Sequence, residues 1–298
     1  MKLGLLIEAE EGLDWARWRL VLLAAERLGF DSVWVSDHLQ SAWAAEPDAG
    51  ERPRPTGLDP WVALAVAATQ TRRLRFGSLV SPITLRPPVL LARTARAVAE
   101  LAPGRLIVGL GLGWNAAEHR AFGLPFPALA ERARRLEHAI ALVREQVPAP
   151  VLIGGSGETT LDLVARHADA WNMTTADAGR FAERSTALDQ RCAALGRAGQ
   201  AIGRSVACGV LVGRDRAELL ARGRRMQALM PPLAKVEAEQ VPAVARTMGW
   251  LAGTPGELVA ALEPLAAAGA ELAILGHYDL DDVDVLELIA ARVMPAVA

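Results

Sequence analysis

Lysine is almost missing from this sequence. Lys2 and Lys235 are the only two in 298 residues, and the other basic positions are arginine. An alanine-rich, arginine-rich background of this kind reflects a GC-rich genome and carries no chemistry. Neither charge dominates: the net charge is −2, whereas a nucleic-acid or membrane-surface binder presents a basic face. Cysteine is scarce as well. Cys192 and Cys208 lack Cys-x-x-Cys spacing and are too few for a disulfide framework or zinc cluster, so the expected compartment is a reducing cytoplasm. No apolar run approaches the length of a membrane span. Met1–Ile7 leads into Glu8, Glu10 and Glu11, not into the apolar core of a secretion signal. No metal is expected, because no two histidines have i, i+4 ligand spacing and neither cysteine has a histidine near it in sequence.

What is present is an alternation of strand and helix patterns in a chain that is 52% apolar. Strands are expected at Leu3–Ile7, Ser32–Val35, Leu74–Val80, Arg105–Leu110, Val151–Ile153, Ala170–Met173, Val206–Val212 and Leu272–Leu275. Helices fall between them. Asp59-Pro60 and Thr254-Pro255 are clear helix starts, a capping side chain followed by proline. Eight strands each followed by helix point to a single (β/α)₈ barrel over residues 1–298, with an open doubly wound sheet as the alternative. The acidic group Asp279, Asp281, Asp282 and Asp284 reads as a helix cap, since it lacks the glycine and distal glutamate of a calcium loop.

In either architecture chemistry belongs at the carboxyl ends of the strands. Val33-Trp34-Val35 ends at Asp37-His38, and an imidazole there is a candidate proton donor or acceptor. His277, after the eighth strand, is its only rival; His119, His138 and His167 lie in helices. The fifth strand runs into Gly154-Gly155-Ser156-Gly157 and then a helix, so unpaired N–H groups and the helix dipole converge on a spot suited to phosphate. The charge of Glu158 counts against an anion unless it is turned away. Gly109-Leu-Gly111-Leu-Gly113-Trp114-Asn115 is not the dinucleotide fingerprint, yet it allows a flat ligand close to the backbone. Gly77-Ser78 within a buried strand signals a bulge or the close approach of another group.

Taken in order, these segments resemble the luciferase-like flavin monooxygenase superfamily, and especially its branch that uses the deazaflavin coenzyme F420. The pieces are Gly29–His38, Leu79–Pro82, Gly109–Asn115 with Glu118, His119 and Gly123, Pro150–Gly157, Ala168–Asn172, Gly253–Glu257 and Met294-Pro295. The resemblance implies a barrel with the F420 ring across its carboxyl face and a small-molecule substrate. His38 would exchange a proton with substrate during hydride transfer to or from a C=C, C=N or carbonyl carbon. Asp37 and Trp114 would contact the ring, and Ser78 and Leu79 would form a strained wall behind it. Gly111, Gly113, Gly154, Gly155, Ser156 and Gly157 would hold the ribityl-phosphate portion. Trp114 stands where the sugar-phosphate dehydrogenases of the family have glutamate, which argues against that substrate. Relatives also carry an insertion before the fifth strand, absent here. That absence implies a more open site, or one covered by Ser36–Gly57 and Leu229–Trp250. The family implies a homodimer, which the tryptophan-rich first helix suits. An FMN-dependent monooxygenase using O2 and a non-catalytic flavin-binding barrel stay open as alternatives.

Overall fold

Short apolar strands and capped helices alternate along the chain in the computed structural model, which describes residues 1–43 and 53–298. In order they are β1 (Lys2–Ile7), α1 (Trp15–Leu28), β2 (Ser32–Val35), α2 (Pro60–Gln70), β3 (Arg75–Ser78), β4 (Ser81–Pro82), α3 (Pro88–Leu101) and β5 (Leu106–Gly111). Then come α4 (Ala116–Ala121), α5 (Leu129–Gln146), β6 (Val151–Gly154), α6 (Glu158–His167), β7 (Ala170–Thr174), α7 (Ala178–Ala194) and β8 (Gly203–Val212). The chain ends with α8 (Arg216–Leu229), α9 (Val241–Thr247), β9 (Leu251–Gly253), α10 (Pro255–Ala267), β10 (Leu272–Gly276), α11 (Val283–Arg292) and α12 (Met294–Val297).

Strands β1, β2, β3, β5, β6, β7, β8 and β10 pair in parallel in that order, and β10 returns to both β8 and β1. The closure makes a (β/α)₈ barrel and rules out the open sheet. It also decides which strand tips face one another: β1 lies across the ring from β6, and β10 across from β5. The helix starts follow from their side chains. Asp59 accepts from Trp61 and Val62 N–H ahead of Pro60, and Thr254 with Glu257 forms a reciprocal capping box. Gln146 and Val151 are joined by four residues only, so nothing is inserted between α5 and β6.

Trp34 dominates the barrel interior, with Ile107, Leu152, Ala207, Leu272 and Ile274 around it. It also explains Gly77: a Cβ there would lie 2.9 Å from the Trp34 ring and 2.3 Å from the Ile107 carbonyl. The group whose approach the sequence signalled is therefore core tryptophan, not ligand. A larger core fills the space between strands and helices. A third, smaller one contains Met230, Leu233, Val241, Ala245 and Trp250. That cluster corrects the expectation that Leu229–Trp250 covers the site: its apolar residues are used in packing beneath α8 and α9. The other expected cover, Ser36–Gly57, lies partly outside the described residues.

Besides shifts of one to three residues at strand ends, two features depart from expectation. The third strand leaves the sheet at Ser78 instead of Val80, because Leu79 and Val80 turn toward the barrel axis before β4 resumes pairing with β5. β9 was not expected; at three residues it is too short to show a pattern. The acidic group near residue 280 does cap a helix: Asp282 accepts from Val285 N–H and from Arg222, while Asp281 pairs with Arg17. Among the described residues no helix is long and apolar enough to cross a membrane, and no cluster of His, Cys, Asp or Glu suits a metal.

Candidate active site

The tips of the strands enclose a cavity of about 560 Å³. A larger hollow, about 890 Å³, lies at the other end of the barrel, among residues such as Lys2, Arg75 and Gly203 at the amino ends of strands. Size does not decide between them. The smaller cavity holds the imidazole, the glycines and the carboxyls, at the end where barrels keep their chemistry.

Strand alternation determines which tip residues reach it. After β2, Ser36 and His38 face the cavity, whereas Asp37 turns behind the barrel wall. There its carboxylate accepts from Ser81 Oγ at 2.6 Å and from Arg86 Nε and Nη2 at 2.6 and 2.9 Å. Asp37 is thus committed to a buried ion pair, and the contact with a ring expected of it is corrected. The same alternation after β10 points Gly276 and Tyr278 inward and His277 outward. His277 is buried, and burial pulls its imidazole down to about 4, so the rival histidine is a neutral core residue.

His38 is partnered by a residue eighty positions away. Its Nδ1 lies 3.1 Å from Glu118 Oε2, and the other oxygen of Glu118 accepts from Leu39 N–H at 2.6 Å. Glu118 comes from α4, where Asn115 caps the helix through the Glu118 N–H. Burial pulls the His38 imidazole down, but the bond to Glu118 and the charges of Glu10, Glu118 and Glu8 outweigh it and hold it at about 9. At neutral pH the ring is therefore cationic and both nitrogens carry protons, Nδ1–H donating to Glu118. Glu118 is in turn held below the usual carboxylate range: its own burial opposes this, and the bond and charge of His38 prevail. The edge of His38 meets the Trp114 ring, with centroids 5.7 Å apart, and Trp114 is 66% exposed at the rim.

The wall beside this pair is apolar. Leu79 and Val80, joined by a cis peptide bond one bond beyond the Ser78–Leu79 position expected, project into the cavity. Three glycines make room for them. A Cβ on Gly109 would lie 1.8 Å from the Ser78 carbonyl oxygen, on Gly111 2.6 Å from Val80 Cγ2, and on Gly154 2.9 Å from Val80 Cγ1. Ser78 itself is buried behind the wall, its Oγ donating to the Gly109 carbonyl, so it is removed from the residues lining the cavity. Of those expected from sequence, His38, Leu79, Gly111, Gly113, Trp114, Gly154 and Gly155 come together here. Ser156 and Gly157 lie in the turn beyond the lining, which corrects their place.

That turn retains the features of an anion cradle. Gly157 precedes α6 without any side-chain cap, and a Cβ on it would meet open space. The first-turn N–H groups of α6 are thus available to an oxyanion. The objection from Glu158 is removed, because Arg184 and Arg191 both pair with its carboxylate. An apolar wall, a glycine rim and this helix end fit a flat ring with a phosphorylated tail, and the cavity is of ordinary cofactor-site size.

Several lining residues were not anticipated as site residues: Glu8 and Glu10 beyond β1, Tyr278 beyond β10, Arg132 from α5, and Asn172 and Cys208. Tyr278 Oη lies 3.2 Å from Glu8 Oε1. Burial, with the charges of Glu10 and Glu11, pushes the Glu8 carboxyl up to about 8; burial raises Glu10 as well. Burial also pushes Cys208 up to about 12, so it remains a thiol and offers no nucleophile. Strand-tip position, the signal used for His38, would have found Glu8 and Tyr278.

The luciferase-like monooxygenase family profile matches residues 1–147 and 136–272. An F420-dependent hydroxymycolic acid dehydrogenase of Mycobacterium tuberculosis is 28% identical over 306 residues, covering 91% of this chain and 82% of that protein. An F420-dependent glucose-6-phosphate dehydrogenase of Kineococcus radiotolerans is 37% identical over 148 residues, 49% of this chain and 40% of that protein. Among solved structures, an F420-dependent secondary alcohol dehydrogenase in complex with an F420-acetone adduct superposes with TM-score 0.77 at 17% identity, over 100% of this chain and 99% of that one. A monooxygenase from Streptomyces bottropensis gives 0.76 at 18% identity, over 100% of both chains. At such identities the structural likeness establishes the barrel and nothing finer. The profile, covering most of the chain, establishes the lineage: this protein belongs to the luciferase-like monooxygenase family.

Proposed function

We propose that this protein is an F420-dependent oxidoreductase that reduces a carbonyl carbon, with His38 as the proton donor. The observation that carries the reading is the His38–Glu118 pair, which puts a charged imidazole at the cavity wall with Nδ1 engaged. Among the described residues its Nε2 has no hydrogen-bond partner and is available to substrate. The cofactor assignment is supported by the mycobacterial relative, whose printed name carries F420 and whose similarity covers 91% of this chain.

When bound, F420 supplies the hydride. The protein's share is positioning and a proton. Leu79 and Val80 would back the ring, Gly111, Gly113, Gly154 and Gly155 would border it, and the open end of α6 would take the phosphate. A carbonyl oxygen within reach of His38 Nε2–H gains its proton as the carbon is reduced, which leaves an alcohol and a neutral imidazole. Glu118 keeps the Nδ1 proton in place and stabilises the charged ring beforehand. The reverse oxidation needs His38 neutral, so its value of about 9 favours reduction near pH 7.

Titration of the purified protein with oxidised F420 and, separately, FMN tests the cofactor. F420 is expected to bind with a Kd of about 1 μM, roughly −8 kcal/mol, and FMN at least about a hundredfold more weakly. Tight FMN binding without F420 binding would replace this reading by a flavin monooxygenase.

A further inference from the structure

The mouth of the cavity is apolar on its β5 side. Among the described residues, Trp114 and Leu129 are the large apolar side chains that line the cavity and still stay exposed, at 66% and 45%. Other exposed ones, such as Leu20, Leu23, Val62 and Leu90, belong to α1, α2 and α3 and do not line it. A single exposed leucine on a helix surface is ordinary. An apolar pair at the edge of a binding cavity is a surface that a ligand covers.

The charged groups beside this pair are already engaged. Arg132 stands one turn along α5 from Leu129. Its Nε donates to the Pro127 carbonyl at 3.0 Å, its Nη1 donates to the Leu112 and Gly113 carbonyls, and the guanidinium lies over the Phe126 ring. These bonds tie the start of α5 to the loop that carries Trp114, so the two apolar side chains hold their spacing without a ligand. Glu118 is buried below, bonded to His38 and to Leu39 N–H. The start of α5 has no side-chain cap, which by itself favours an anion, but Glu131 in its first turn opposes one. The indole also reaches the proton donor, since the edge of His38 meets its ring.

We propose that the substrate is a ketone or aldehyde with an extended alkyl chain, its carbonyl at His38 and its chain lying over Trp114 toward Leu129. The chain is uncharged, because Arg132 and Glu118 are engaged within the protein. This names the substrate class of the proposed function and rests on it for the reaction; coverage of the rim by an alkyl chain does not.

Isothermal titration of the full chain without added cofactor, using butanol, hexanol and octanol, measures the chain contact directly. Affinity is expected to rise about fourfold for each added pair of methylenes, each methylene being about half covered. Trp114→Ala and Leu129→Ser are each expected to lower that step to about twofold or less, so that octanol loses more than butanol. A purely structural effect would weaken all three alcohols by one factor and leave the step intact, and that result overturns the proposal. A flat series in the unaltered chain, or no measurable binding of octanol, overturns it without any variant. Octanoate binding more tightly than octanol overturns it too, since an anion would then be what the mouth selects. Because no cofactor is present, failure to bind F420 leaves the alcohol series intact. Conversely, F420-dependent turnover with the same kcat/KM for butanone, hexanone and octanone removes the alkyl subsite and leaves the cofactor reading standing.

Discussion

Replacing Glu118 with glutamine changes the charge beside His38 while keeping the shape and the acceptor for Leu39 N–H. The imidazole sits at about 9 against an ordinary 6.5, a preference for the charged ring of about 3 kcal/mol at 1.36 kcal/mol per tenfold. Glu118 supplies both the bond and one of the three carboxylate charges, and because burial opposes the net value, at least roughly half of it, about 1.5 kcal/mol or more, is expected to go with it. His38 should then titrate roughly one pH unit lower, followed by nuclear magnetic resonance of the histidine ring nitrogens. Stability reports the same linkage with a definite sign. A group raised on folding contributes fully below its unfolded value of 6.5 and loses that contribution as pH rises through about 9. The unaltered chain should therefore lose stability between pH 6.5 and 9, and Glu118→Gln should lose less over the same window. An unchanged His38 titration in Glu118→Gln would show that the charges of Glu10 and Glu8 hold the ring up, and the role given to Glu118 would fall.

Gly111→Ala should cost about 1–3 kcal/mol in urea unfolding, because its Cβ would press on Val80. Much of that cost should vanish in a Val80→Ala background, and simple additivity of the two changes would refute the packing argument. Glu8→Gln removes a carboxyl held near 8 and should stabilise the fold by about 1–2 kcal/mol above pH 8, with little gain at pH 5. Equal gain at both values would contradict the assignment. Trp114→Ala should leave stability within about 0.5 kcal/mol, since the side chain is mostly exposed, but should raise KM; a melting loss without a KM change would remove Trp114 from the site. The homodimer implied by the family resemblance predicts a sedimenting mass of twice the 31.7 kDa chain, and a single-chain mass would remove it.

The architecture was legible because its signals are local. Asp59-Pro60, Pro87-Pro88 and Thr254-Pro255 each mark a helix start within two residues, and apolar runs such as Val33-Trp34-Val35 mark buried strands. The site was legible where one rule, the strand tip, was applied together with a glycine pattern. It failed where a second rule was needed. Two neighbouring residues at a strand end face opposite sides, so Asp37 and His38 could not both reach one cavity. The glycine pattern at 109, 111 and 154 signals room for a ligand and the glycine at 77 only a bulge or a close approach, whereas all four are first of all room for Trp34, Ser78 and Val80. The partnership of Glu118 with His38 is a tertiary fact, since no spacing in sequence relates a helix after the β5 loop to the end of β2. Glu8 and Glu10 follow a strand end as His38 does, and that position is the one local signal the sequence offers for them.

Proton transfer from His38 is the centre of the account, and single-turnover oxidation of reduced F420 by a carbonyl substrate measures it most directly. The account predicts a rate that falls as pH rises through about 9, and a loss of about 10²–10⁴-fold in His38→Gln with that dependence gone. A His38→Gln protein that keeps both the rate and its pH dependence would contradict it.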